Sequence, residues 1–314
     1  PALTAIHALS RDGQARIAPA VATPDRARSH FEAQDVLETG AAGVYATTSG
    51  WLNRTVQALS GAGRIEALSV GATAPLILRG PAATGSWSPG RGVDTTARLP
   101  MLLQDLYRDD PLLGPALARG LQTEAMAQET GAASAAGMMR PGGGGQGREV
   151  ARAMGDALAG FLRVLGGPQL AAVSVDGFDT HANQPGVLAG RLGALDGLID
   201  GLHTGLADEW RNTVVLVVTE FGRTARANGT GGTDHGTAST ALVLGGALKP
   251  GGIIGDWPGL RQTALFENRD LAPTLDLRAL SKGLLAEHMG VDRRALDTLI
   301  FPDSASTRPL LGLV

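Results

Sequence analysis

The first half of the chain alternates apolar and polar positions weakly, and the second half does so regularly. Residues 1–22 read as a helix with a short apolar exit, and 26–38 as the opening of another helix. Ser29 with Glu32 three residues on fits a capping box at that opening. Residues 69–78 suggest a strand or a pair of short strands, and 98–131 carry helical spacing of Leu, Met and Ala. The stretch from Gly137 to Gly147 reads as a loop. From residue 149 the pattern sharpens: helix 149–165, strand 169–175, a long amphipathic helix from about 187 to 208, and strand 213–219. Strand, helix and strand in that order predict a right-handed βαβ crossover. A strand near 240–245, a glycine-rich hairpin at 250–255, a helix opened by Asp270 and running to about 289, and a short helix ending near 300 complete the reading.

These elements predict one α/β domain over residues 1–314. Its largely parallel sheet is flanked by helices, with a mostly helical insertion at about 90–150, and no internal repeat is evident. The length of 314 residues is enough for a sizeable core. A net charge of −3 gives no global support for a nucleic-acid partner. No apolar run approaches the roughly 20 residues that span a bilayer, so no membrane span is expected. The absence of cysteine excludes disulfides and thiolate metal sites.

Short apolar runs bounded by glycine and polar residues read as buried strands, and open α/β sheets bind ligands beyond the carboxyl ends of their strands. Three loops place acids and imidazoles at such positions. Asp176-Gly-Phe-Asp179-Thr-His181 follows one apolar run, Glu220-Phe-Gly-Arg223 follows the next, and Asp234-His235-Gly236 precedes a third. Oxygen and nitrogen donors of this kind suit divalent metals. Each also has a plainer reading. Asp176 and Asp179 can cap a turn, Glu220 can pair with Arg223 to tie the loop, and Asp234 can orient an imidazole rather than bind a metal. Ser29, before His30 at a helix N-terminus, faces unpaired N–H groups that favour an anionic group, although most serines there are only caps. His7, His203 and His288 fall within helix-like segments and read as packing or surface residues.

Seven ordered motifs carry a family resemblance. They are Arg28-Ser-His-Phe-Glu-Ala-Gln-Asp35, Ser49-Gly-Trp-Leu-Asn-Arg54, Asp179-Thr-His-Ala-Asn-Gln184, Thr219-Glu-Phe-Gly-Arg223, Gly232-Thr-Asp-His-Gly236, Gly255-Asp-Trp-Pro258 and Arg269 to Arg278. Together they resemble the DUF1501 family, a bacterial group of unknown function related to the alkaline phosphatase and sulfatase superfamily. The resemblance implies an alkaline phosphatase-like fold with one or two divalent ions (zinc, manganese or calcium) at strand ends. It further implies a Ser, Thr or modified Cys nucleophile at a helix start and a small anionic ester as substrate. It places Asp179, His181, Glu220, Asp234 and His235 as metal ligands, with Phe221 where the superfamily carries an imidazole. Ser29 stands as nucleophile with Arg223 beside it, and Arg28, His30 and Asn183 hold the anionic group. Members usually begin with an apolar strand after an export signal, so a periplasmic or secreted location and a missing N-terminal strand are implied.

Three functions follow as expectations. One is a metal-dependent hydrolase of phosphate or sulfate esters. Another is a non-catalytic exported protein that keeps the fold for binding or assembly with a protein partner. A phosphomutase-like transferase on the same scaffold is a third.

Overall fold

The computed structural model describes residues 2–60, 66–71, 73–89, 98–132 and 147–314. The expected loop from Gly137 to Gly147 lies almost wholly outside the described residues.

The N-terminal segment forms α1 (Thr4–Arg11) and then β1 (Ala15–Ala22). The sequence predicts only a short apolar exit here, and Pro19 is unusual within a strand. The chain reconciles the two by a bulge. β1 pairs antiparallel with a later strand from Ala15 to Ala18, and the register shifts between Ala18 and Val21. Pro19 therefore falls where the ladder is already interrupted. Next come α2 (His30–Thr39), α3 (Trp51–Leu59), β2 (Ala67–Val70) and β3 (Gly85–Trp87). The expected second half of strand 69–78 is instead a 3₁₀ turn at Leu76–Leu78. Within residues 90–150 the described chain forms α4 (Arg98–Leu106) and α5 (Leu113–Glu129), and α6 (Gly147–Arg163) follows.

After α6 come β4 (Leu170–Val173), α7 (Gln184–Leu206), β5 (Val215–Val217), β6 (Ser239–Leu244), β7 (Leu275–Asp276), α8 (Leu277–Met289) and α9 (Arg293–Ala295). Asp270 does not open α8. Asp276 does, accepting the N–H of Arg278. No hairpin forms at 250–255, where Ile253 makes a single parallel bridge to Ile17.

The strands form two sheets rather than one. The first runs β5-β6-β1-β7, and the second β3-β2-β4. Only the second is wholly parallel. In the first, β6 is antiparallel to both β1 and β5, and β7 is parallel to β1. The architecture is thus mixed α/β. The expected crossover from β4 through α7 to β5 joins two different sheets, since helical and strand periodicity do not specify a strand's partner. Both sheets nevertheless feed one apolar cluster containing Leu68, Val70, Ala15 and Leu244, together with Phe161 of α6 and Ile199 of α7.

α6 and α7 touch backbone to backbone. A Cβ built on Gly155 would lie 2.1 Å from the carbonyl oxygen of Leu198, one on Gly201 2.0 Å from that of Arg152, and one on Gly197 2.3 Å from that of Arg148. Gly197 and Gly201 are one helical turn apart, so glycine rather than a broad apolar stripe sets this contact. α7 also reaches back to the N-terminus. Its buried Asp196 accepts from the N–H of Ile6 (3.0 Å) and the hydroxyl of Thr4 (3.0 Å), capping α1 in place of a local side chain.

Two buried cations tie the remaining loops. Arg54 is 5% exposed and donates to the carbonyls of Thr39, Ser49 and Ile300, and burial pushes its pKa down to about 10. Lys282, wholly buried, donates to Asp297 (2.6 Å) and to the carbonyls of Ser304 (2.7 Å) and Thr307 (3.0 Å).

Candidate metal centre

Three connections meet at one end of the molecule. β4 ends just before Asp176, and β5 just before Glu220. The long connection that follows β5 returns to the start of β6. Because β5 and β6 are antiparallel, with Val217 opposite Leu242, that connection stays at the same end. β1 is antiparallel to β6 with Val21 opposite Ser239, so the segment leading from β1 to α2 emerges there too.

Glycines permit the loops to meet closely. A Cβ on Gly222 would lie 1.6 Å from the carbonyl oxygen of Ala238, and one on Gly232 2.2 Å from the carbonyl carbon of His181. No side chain fits at either place. The His181 carbonyl is fixed further by Thr230 Oγ1 (2.6 Å) and Asn228 Nδ2 (2.9 Å).

Asp179 sits at the focus. Its Oδ1 lies 2.9 Å from His181 Nε2 and 3.1 Å from His235 Nε2, and its Oδ2 lies 3.3 Å from His30 Nε2. His181 Nε2 and His235 Nε2 are 3.0 Å apart. His30, Asp179 and His235 each place one ligand atom within 4.8 Å of the other two. Ligand atoms bound to one zinc at about 2.0 Å sit roughly 3.3 Å from each other, close to these spacings.

The other nitrogen of each ring is engaged by an oxygen. His235 Nδ1 meets the carbonyl of Arg28 at 2.9 Å, His181 Nδ1 meets Asp234 Oδ1 at 3.1 Å, and His30 Nδ1 meets Glu220 Oε1 at 2.8 Å. A carbonyl can only accept, so Nδ1 of His235 carries the proton. Asp234 is held below the usual carboxylate range by its bonds from Asn228 and then His181, so it too accepts. A neutral imidazole protonated at Nδ1 presents a lone pair at Nε2. The His181 and His235 lone pairs would then face each other beside a carboxylate oxygen that also accepts from Arg223 Nη1 at 2.5 Å. A bound cation would relieve this crowding of acceptors.

Asp179 is ionised well into acid. Burial alone would raise its pKa, but the Arg223 guanidinium, the His181 charge and the bonds from His235 and His30 outweigh it and bring the value to about 2.

Of the residues singled out in the sequence, Asp179, His181 and His235 point their donor atoms at one centre. Glu220 and Asp234 stand one step back, each holding an imidazole rather than facing the centre. His30 was expected among substrate-holding groups, yet its Nε2 joins the cluster. Phe221 fills the place beside it, with ring centroids 4.9 Å from His30 and 4.6 Å from His235, and walls the centre with an apolar face. Arg223 donates to Asp179 and also to the hydroxyl and carbonyl of Thr233. The Arg28 side chain turns away to Glu267 and Asp270. Asn183 caps α7 with φ of 47°, and no hydrogen bond of its side chain reaches the cluster among the described residues. Ser29 is the N-cap residue of α2, but its hydroxyl makes no capping bond, so the expected capping box does not form.

Sequence reading missed three contributors. The main-chain carbonyl of Arg28 has no sequence signature. Asp270 is a wholly buried carboxylate that gathers Arg28 Nε (2.8 Å), Thr237 Oγ1 (2.9 Å) and Arg269 Nη1 (3.2 Å). A cavity of about 610 Å³ opens at the carboxyl ends of β2 and β4, where Phe31, Asp35, Tyr45, Thr73, Ser174 and Asp176 line it. Phe31 follows His30 directly, and Asp176 begins the turn that carries Asp179.

The family described as "Protein of unknown function (DUF1501)" matches residues 13–300, which include every residue of the cluster. No curated protein and no solved structure matches the chain.

Proposed function

The chain belongs to the DUF1501 family, and from that premise we propose that it is a metal-dependent hydrolase of phosphate or sulfate esters. The observation that carries this reading is the shared polarity of the three rings. His30, His181 and His235 each have Nδ1 held by an oxygen and Nε2 turned inward toward Asp179. Metal-ligating histidines use that arrangement, with the outer acceptor fixing ring and tautomer. An isolated packing histidine has no need of it.

Asp179, His181 and His235, joined by His30, would hold the ion. Three imidazole nitrogens and one carboxylate suit zinc or manganese better than calcium, which takes six to eight oxygens. A bound divalent ion would polarise the ester oxygen and offset charge developing on the transferred group. The protein's own groups do the rest. Glu220, Asp234 and the Arg28 carbonyl keep the rings oriented. Arg223 keeps Asp179 ionised and in place. Ser29, next to His30 and without a capping hydrogen bond, would be the nucleophile, its oxygen bonding to phosphorus or sulfur as the alcohol of the ester leaves, with water then releasing phosphate or sulfate and restoring the serine.

One feature favours the non-catalytic reading. Arg223 already donates to the oxygen of Asp179 that the two histidines face, so this carboxylate has a cationic partner of its own. Elemental analysis of purified protein decides between them. Stoichiometric zinc or manganese, with turnover of phosphate or sulfate esters that Ser29→Ala abolishes, is the expected result. Protein that neither retains nor takes up either metal sinks the hydrolase reading.

A further inference from the structure

We infer that the cavity beside the centre binds a polyhydroxylated ring, a glycosyl unit of hexose size, as the body of the ester substrate; the catalytic half of this statement rests on the function proposed above. Size comes first. The cleft is half open to solvent, and its volume of about 610 Å³ lies in the range of small-molecule sites and exceeds what a lone phosphate or sulfate needs. Position comes second. The cavity lies beyond the carboxyl ends of two parallel strands, and α2 joins it to the centre. The first residue of α2, His30, faces Asp179, and its second, Phe31, faces the cavity.

The lining decides the ligand's chemistry. Two aromatic rings stand at the wall with little protein cover. Phe31 is 83% exposed and Tyr45 69% exposed. Tyr45 is held there at a conformational cost. Its φ is 54°, in the left-handed region that a bulky residue rarely adopts, and its N–H is pinned by Oδ1 of the buried Asp35 at 2.7 Å. A helix residue that fixes a strained loop so as to present an exposed aromatic ring has a local purpose that core packing does not supply. Between the rings the lining mixes polar groups with the apolar Val70, Pro75 and Leu76. Thr73, Ser174 and Asp176 make no side-chain hydrogen bond among the described residues, the free oxygen of Asp35 adds a second carboxylate acceptor, and Arg79 adds a donor. A hydrocarbon body would leave these groups unpaired, at a cost. A nucleobase offers few N–H donors to two carboxylates. A sugar matches both halves, because its C–H face stacks on the electron-rich faces of aromatic rings and its several hydroxyls donate to carboxylates and exchange bonds with Ser and Thr.

The test uses the full chain loaded with zinc or manganese. It compares glucose phosphate and glucose sulfate, esterified on the primary hydroxyl, with p-nitrophenyl phosphate, p-nitrophenyl sulfate and adenosine monophosphate. Tyr45→Gly is the informative variant, because glycine suits the positive φ and removes only the ring; Phe31→Ala is its companion. The expected result is a glucose ester as best substrate. Each variant should lower its kcat/KM by about tenfold through KM, a larger loss than on the p-nitrophenyl esters. A preference for the nucleotide, or equal losses on all esters, overturns the assignment. Saturation-transfer NMR with free glucose provides a readout that needs no catalysis. A glucose signal that is present in wild type and absent in Tyr45→Gly supports the cavity even where no ester is hydrolysed, an outcome that would sink only the hydrolase reading. Wild-type protein giving no glucose signal, or a variant giving the same signal, overturns the sugar site.

Discussion

Arg28 and Asp270 form an ion pair at 2.8 Å behind the centre, and the same Arg28 offers its main-chain carbonyl to His235. Arg28 holds φ of 58°, so its backbone is strained where that carbonyl is aimed. Glu267, which also grips Arg28, is itself in the left-handed region at 51°. The pair thus fixes the acceptor that sets the His235 tautomer. Asp270→Asn should lower metal affinity about tenfold and destabilise the fold by about 3 kcal/mol, because Arg28 loses its buried partner. Arg28→Gly keeps the carbonyl but deletes the ion pair, so its metal affinity should fall as well. Calorimetric zinc titration reads affinity, and imidazole nitrogen shifts read the tautomer. Equal affinities in wild type and Asp270→Asn would disprove the coupling.

Metal should stabilise the folded chain by mass action. At a free concentration about a hundredfold above Kd, the gain is about 2.7 kcal/mol. Added zinc or manganese should raise the wild-type Tm, and chelation should reverse it. His181→Ala removes a ring that lies 2.9 Å from Asp179 and 3.0 Å from His235, and should abolish most of the rise. A Tm rise of the same size in that variant would remove His181 from the ligand set.

The helix crossing gives a prediction free of any functional assumption. Gly201→Ala drives a methyl group into the carbonyl of Arg152 and should cost about 2–4 kcal/mol through displaced helices. Gly190→Ala, on the same helix with nothing within 4 Å, should instead stabilise by about 0.5–1 kcal/mol. Chemical denaturation of the two variants checks the pair. Similar effects at both sites would contradict the close approach of the helices.

Asp196 predicts an acid-dependent contribution. Burial alone raises its pKa, but the N–H groups of Ile6 and Ala5, with Arg148 and Thr4, outweigh burial and lower it. A carboxyl whose folded pKa is depressed stabilises above its unfolded pKa, and that contribution is lost as pH falls. Asp196→Asn should therefore be less stable than wild type at neutral pH, with the gap narrowing below about pH 4. Thermal melts across that range measure it. A gap that stays constant would mean that the charge of Asp196 contributes nothing.

Much of the second half was legible because its signals are local. The apolar run at 169–175 gave β4, the stretch 187–208 gave α7, and the run at 213–219 gave β5, each within a few residues. What stayed hidden is non-local. Nothing along the chain states that β4 and β5 lie in different sheets, or that β1, despite Pro19, pairs on both sides. The site follows the same division. Residue type and loop position pointed to Asp179, His181 and His235. Which of Glu220, Asp234 and His30 faces the centre depends on ring orientation, set by partners as distant as Arg28. Asp270, read as a helix opener, is buried by contacts that only the folded chain brings together.

The division into two sheets also bears on how the protein behaves in concentrated solution. β4 and β5 each end a sheet, and Ala171, Val173, Val215 and Val217 on them are only half covered. Natural sheets commonly guard such margins with lysine. This chain has two lysines, Lys249 and Lys282, and neither lies on β4 or β5. Among the described residues, both margins therefore end in small or β-branched apolar side chains with no lysine to discourage pairing with a further extended segment.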